Sequence, residues 1–337
     1  MGLETGVAVA AEETTGRTKK RRRFHRGRRA LLAALVTGAV VAPLSAAARP
    51  EIPAPPPARL VSLTAVTLDK AYAANRANAA EASRMAAAHG DHARAAADRS
   101  MADPSRHFLT FDGRGSGRAT EVFGDLAHAT RIAVLVPGSD TSLDTYDRFR
   151  AGAAALQRQL TRTDARTAVV AWLGYETPGT VSTTVATAGR AEQAAPQLRE
   201  FIRELHGVVG PEARLSLLCH SYGSVVCGRA ADGLDVDDLV LVGSPGTGAE
   251  DAAGLHTRAR VWAARGTDDW IAEVPHVKAD LFGTTVGFGT DPVSPAFGAR
   301  VFAAGDGGHS DYFTPGSVSL TNLARIVLGD TSEVTRA

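Results

Sequence analysis

Residues Arg214 to Arg229 read Arg-Leu-Ser-Leu-Leu-Cys-His-Ser-Tyr-Gly-Ser-Val-Val-Cys-Gly-Arg. Leu215 to Leu218 is a short apolar run of the kind a buried strand uses, and the sequence from Tyr222 onward is compatible with a helix, so Ser221 falls at the junction. A sharp strand-to-helix turn brings the positions two before and two after its central serine close together, which demands small residues there and produces the pattern G-x-S-x-G. Here those positions hold Cys219 and Gly223. Cysteine is small, so the spacing predicts an intact turn presenting Ser221 as a nucleophile. A plain strand-loop-helix with a polar turn reads the same way in isolation, and the surrounding chain has to supply the context.

That context is an alternation of apolar runs and helical segments. Arg131 to Val136 is almost wholly apolar and ends in Pro137-Gly138-Ser139-Asp140, with a helix expected from Thr141 to about Leu160. Thr167 to Leu173 reads as a second strand, followed by a Gly- and Thr-rich loop and a helix near Ala191 to His206. Further strands are expected at Leu239 to Val242, Arg260 to Ala264 and Arg300 to Ala303, with a last helix from Val318 to Leu328. Apolar strands alternating with helices predict a mostly parallel sheet flanked by helices on both faces. Ligands bind such a sheet beyond the carboxyl ends of its strands. Ahead of this region, His107 to Asp112 and Ala119 to Gly124 are β-like runs joined by Gly113-Arg114-Gly115-Ser116-Gly117, read as a hairpin. The glycine run lacks the Lys-Ser/Thr ending of a phosphate loop and lies between two strands.

Charge and composition narrow the function. The 337 residues carry 37 Lys/Arg and 36 Asp/Glu, but residues 1–48 hold nine of the basic and three of the acidic ones, leaving 28 against 33. A mildly acidic body of about −5 argues against nucleic acid as a partner. The basic run Lys19 to Arg29, the apolar run Ala30 to Leu44 and the small residues Ser45 to Ala48 predict a signal peptide over 1–48 and a secreted or cell-surface protein, with membrane attachment only through this segment if it stays uncleaved. Residues 49–59 read as a Pro-rich tether and 60–106 as a small Ala-rich helical extension, broken by a turn at His89-Gly90-Asp91-His92, with the main domain over 107–337. The two cysteines, Cys219 and Cys227, are expected as buried free thiols, because a bridge would have to join a strand end to the next helix across the turn. No metal or organic cofactor is expected.

The segments Ala71 to Arg76, Phe111-Asp112 to Gly124-Asp125, Val136 to Ser139, His220 to Ser224 and Gly308-His309-Ser310 resemble an actinobacterial family of α/β-hydrolases without an assigned substrate, over roughly residues 65–330. The resemblance implies the α/β-hydrolase fold and a triad in the chain order Ser, Asp, His. Ser221 needs a base to activate it. His309, on the flexible approach Gly305 to Gly308, is preferred over the adjacent His220, because a tight turn sends neighbouring side chains apart. The acid is expected after the strand at Arg260, as Asp269 with Asp268 as the alternative and Asp251 as an outside choice. Oxyanion donors are expected from the amides of Tyr222 and Ser139. Tyr175, Trp270 and Phe313 are expected around the substrate pocket, and Trp172 could join them. With no long apolar lid helix in the sequence, the expected substrate is a small-molecule or lipid-like acyl compound cleaved by an esterase. A non-catalytic surface module, or a peptidase, thioesterase or acyltransferase, are the alternatives.

Overall fold

The computed structural model describes residues 52–60, 62–179, 188–274, 279–281 and 284–337. The expected signal segment 1–48 and the middle of the loop after Gly174 lie outside them. The strands in chain order are β1 (His107–Asp112), β2 (Arg118–Phe123), β3 (Arg131–Val136), β4 (Thr167–Leu173), β5 (Arg214–His220), β6 (Asp238–Val242), β7 (Arg260–Ala264), β8 (Ala279–Leu281), β9 (Thr284–Val286) and β10 (Arg300–Val301). The α-helices are α1 (Leu68–His89), α2 (His92–Met101), α3 (Tyr146–Thr161), α4 (Gly189–Val209), α5 (Gly223–Ala230) and α6 (Val318–Leu328). Eight strands form one sheet in the order β1-β2-β4-β3-β5-β6-β7-β10, antiparallel at β1/β2 and β2/β4 and parallel from β4 onward. The pair β8/β9 is a separate antiparallel hairpin that the sequence reading did not anticipate.

Period-two alternation along the central strands divides the core between the two faces. Ile132, Val134 and Val136 of β3 join Leu215 and Leu217 of β5 and Leu239 and Leu241 of β6 in one cluster, covered by α4 and α5. Ala133, Leu135, Leu218, Val240 and Val242 point the other way, onto α3 and α6. Helix α4 buries Ala191, Ala194, Ala195, Leu198, Phe201, Ile202, Leu205 and Val208, the three-and-four spacing of a one-sided helix. Helix α6 is bounded as its sequence predicts: the Ser317 side chain accepts from the Leu320 amide, and Gly329 ends it at φ 86°. Helix α3 starts later than expected, at Tyr146. Asp140 sits at positive φ, and a 3₁₀ turn over Leu143–Thr145 comes first.

The helical extension docks on the sheet edge. The small face of α1, with Ala79 and Ala82, meets Phe108, Phe111 and Met101. Asn75 Nδ2 donates to the carbonyls of Phe108 (2.9 Å) and Leu109 (2.8 Å). Gly90 at φ 90° ends α1, and Asp91 caps α2 by accepting from the Arg94 amide, so His89 to His92 form a turn. Arg94, almost fully buried, forms a two-pronged ion pair with Asp144 and donates to the carbonyls of Gly113 and Gly115. Before β1, Arg106 grips Glu121 of β2 through bonds of 2.7 and 2.8 Å, with both side chains buried. Part of the Pro-rich stretch also lies on this edge, where Asn78 Nδ2 donates to the Pro56 carbonyl (3.0 Å).

Candidate active site

Ser221 sits between β5 and α5 at φ 53°, in the left-handed region that residues with a Cβ rarely occupy. Its amide donates to the Val242 carbonyl of β6 (3.0 Å), and its carbonyl accepts from the Ser224 amide (2.9 Å). The turn therefore leaves the hydroxyl at the carboxyl edge of the sheet. Two glycines make room for it. A Cβ on Gly223 would lie 2.6 Å from the Val136 carbonyl oxygen, and one on Gly138 would lie 2.6 Å from Ser221 Cβ. The crowding that selects glycine at 223 thus comes from β3, not from residue 219 as the sequence pattern suggests.

His309 lies in the loop after β10 with Nε2 2.9 Å from Ser221 Oγ and Nδ1 2.8 Å from Asp269 Oδ1. Asp269 follows β7 and caps a 3₁₀ turn over Trp270–Glu273, its Oδ1 accepting from the Ile271 amide (2.9 Å). Tyr312 donates to Oδ2 at 2.5 Å and accepts from the Gly266 amide at 3.1 Å. Burial by itself would raise the Asp269 carboxyl. The hydrogen bonds from His309, Tyr312 and the Ile271 amide overcome that and hold it below its ordinary value. An ionised Asp269 accepts only, so the proton on the neutral imidazole sits on Nδ1 and the lone pair on Nε2 faces the serine hydroxyl. Gly243 belongs to the same construction: at φ 57°, a Cβ there would lie 2.9 Å from Asp269 Oδ2 and 3.2 Å from His309 Nδ1.

Of the two adjacent acids, the structure brings Asp269 to His309 and leaves Asp268 exposed; Asp251 is spent on the Gly254 amide. His220 is not a rival base. Its Nε2 donates to the His309 carbonyl at 2.6 Å, and burial together with the neighbouring His309 lowers its pKa to about 4, so it is neutral near pH 7. Neither this bond nor Tyr312 was anticipated, although Tyr312 lies only three residues beyond His309.

The expected pocket aromatics separate. Trp270 is 51% exposed with its ring 4.5 Å from that of His309, at the mouth of the site. Tyr175 is corrected to a core residue: it is buried against Trp172, and its hydroxyl donates to the Pro137 carbonyl at 2.6 Å, bracing the loop that carries Gly138 and Ser139. Trp172 is buried too, stacked between Tyr175 and Phe201. Phe313 packs over Gly152 of α3 and the core beneath it. Ser139 is half-buried beside Gly138, and Tyr222 is buried at the start of α5. The loop that includes Thr177 and Pro178 is laced to the same segment, through Thr141 bonded to Thr177 and the Asp140 amide bonded to the Pro178 carbonyl. The expectation of free thiols is overturned: Cys219 and Cys227 form a disulfide, with Cα atoms 6.5 Å apart. The turn at Ser221 folds α5 back along β5 and brings the two Cα atoms within disulfide range.

Among the described residues, no group of three or more His, Cys, Asp or Glu is placed to hold a metal ion, and no helix is long and apolar enough to cross a membrane.

A family model described as alpha/beta hydrolase matches residues 112–279, taking in Ser221 and Asp269 and ending before His309. An uncharacterised protein of Mycobacterium tuberculosis is 32% identical over 249 residues, covering 64% of this chain and 37% of that protein. One of Mycobacterium bovis is 30% identical over 169 residues, covering 46% of this chain and 63% of that protein. The chain therefore spans only part of each of these relatives. Among solved structures, an α/β serine hydrolase without lid from Xanthomonas campestris is 17% identical over 68% of this chain and 95% of its own, with a TM-score of 0.43. Esterase PE8 is 16% identical over 62% and 96%, with a TM-score of 0.42.

Proposed function

We propose, on the premise that this chain belongs to the alpha/beta hydrolases, that it is a serine hydrolase of the esterase kind, working through an acyl-enzyme on Ser221. The observation that carries this reading is the unbroken hydrogen-bond relay from Ser221 Oγ through His309 to Asp269. Ser221 Oγ attacks the acyl carbonyl carbon while His309 Nε2 takes its proton. The imidazolium so formed is stabilised by ionised Asp269. The oxyanion is received by the amides of Tyr222 and Ser139, each such donor being worth roughly 10²- to 10³-fold in turnover. His309 then returns its proton to the leaving group, and a water activated by the same imidazole releases the acid and restores the serine.

Small-molecule or lipid-like acyl esters suit a half-buried serine beside an exposed Trp270. Export through residues 1–48 is part of the same proposal, supported by the basic-then-apolar pattern of that segment and by a disulfide in the body of the chain, since such bonds persist in oxidising compartments. The test is labelling with a fluorophosphonate probe. Wild type should label and Ser221→Ala should not; labelling that survives Ser221→Ala sinks the assignment. A screen of p-nitrophenyl esters, thioesters and peptides, with and without an added alcohol acceptor, separates esterase from thioesterase, peptidase and acyltransferase.

A further inference from the structure

The Cys219–Cys227 disulfide encloses the turn that carries Ser221, and its place in the fold points to a role in the chemistry. The turn is held in a conformation its own residue disfavours, φ 53° at Ser221. The helix that follows has eight residues, about two turns, too short to stand without tertiary support. The helix approaches neighbouring backbone to the contact limit: Gly223 lies against the Val136 and Pro137 carbonyl oxygens, and Gly228 against that of Thr247, with no room for a Cβ at either. Among the described residues, the side-chain hydrogen bond joining α5 to β5 is Ser224 Oγ to the Cys219 carbonyl, at 3.2 Å. The disulfide adds a covalent tie between the same two elements, eight residues apart in sequence, with Ser221 inside the ring it closes.

We infer that the Cys219–Cys227 disulfide is a positioning device for the nucleophile, holding the Ser221 turn in the left-handed conformation that aims Oγ at His309. The inference rests on the proposed role of Ser221. Both cysteines are 0% exposed, so in the folded chain the bond is a standing tie, sealed from reductants in solution. Without it, the turn relaxes toward ordinary backbone angles and Oγ spends less time at the 2.9 Å separation from Nε2. Misplacement of this kind lowers the rate of the chemical step while leaving the binding surface formed by other elements intact.

The experiment compares wild type with Cys219→Ala/Cys227→Ala at a temperature where circular dichroism has established that both are folded. If the double variant does not fold, Cys219→Gly/Cys227→Ala takes its place, restoring glycine at the first small position of the turn. Three quantities are read: the fluorophosphonate labelling rate, kcat and KM on p-nitrophenyl acetate, and native-state exchange of the Ser224 and Val225 amides. Positioning predicts kcat and labelling down about tenfold, equivalent to about 1.4 kcal/mol, with KM within twofold and faster exchange at the two amides. A purely structural bond would lower Tm but leave kcat and those amides unchanged, and that result overturns the inference. If wild type itself fails to label, the proposed function falls, and amide exchange alone decides whether the bond holds the turn.

Discussion

At the scale of single residues, the proposed Ser221–His309–Asp269 relay is braced by side chains outside it. Tyr312 donates to the Asp269 oxygen that His309 leaves free. Tyr312→Phe removes a hydrogen bond to a charged acceptor, a loss of about 1.5 to 3 kcal/mol. The expected result is a kcat/KM lower by about tenfold or more in steady-state assays, with the fold retained. His220 makes a different contribution. Folded, it titrates near 4 instead of its ordinary 6.5, because burial and His309 disfavour its charge. Between those values the unfolded chain binds the proton that the folded chain refuses, so stability falls as pH drops from 6.5 toward 4. Asp269, whose carboxyl is depressed, acts in a lower window: its contribution is present above the ordinary carboxylate range and is lost on further acidification. Urea unfolding at pH 7 and pH 5 should show wild type losing up to about 2 kcal/mol more than His220→Gln. Equal losses in the two proteins would show that His220 does not titrate this way.

At the scale of elements, the turns at the carboxyl edge of the sheet are shaped by backbone that approaches too closely for a side chain. Gly243→Ala should abolish fluorophosphonate labelling and lower Tm, because the new methyl meets Asp269, Tyr312 and His309 at a positive φ. Part of the latch between the extension and the sheet is electrostatic. Arg106→Ala leaves Glu121 buried, with Arg150, at 3.2 Å, as its one remaining ion-pair partner among the described residues. Breaking a buried pair in this way costs about 3 to 5 kcal/mol, measurable by urea denaturation at pH 7. These features differ in how far they can be read from sequence. Strand β5, its turn and Ser221 are visible because a local pattern, apolar run then small-x-Ser-x-Gly, is dictated by local geometry. Tyr312, the His220 bond and the disulfide are not, because each joins positions whose separation in space is set by the whole sheet.

At the scale of the whole molecule, the extension is part of the body it precedes. Helix α1 covers Phe108 and Phe111 on the edge hairpin, and Asn75 satisfies two of its carbonyls. A chain starting at residue 105 should expose that apolar edge and aggregate, seen as loss of the monomer peak in size-exclusion chromatography; a soluble, fully active truncation would show the extension to be dispensable. The alternation of apolar strands with helices determined the architecture by itself, since each strand's burial on two faces is written in its own residues. The sequence also named the residue types of the proposed site: a serine on the turn, an acid after β7 and a histidine on a glycine-rich approach. Only the tertiary structure decided between Asp268 and Asp269, because adjacent residues on a turn point opposite ways and the one facing His309 depends on where β10 lays its loop. It also turned Tyr175 from a pocket wall into a brace and Cys219 from a free small residue into half of a disulfide around Ser221. The physical reason is the same in each case: which side a side chain faces, and what it meets there, is fixed by the packing of elements distant in the chain.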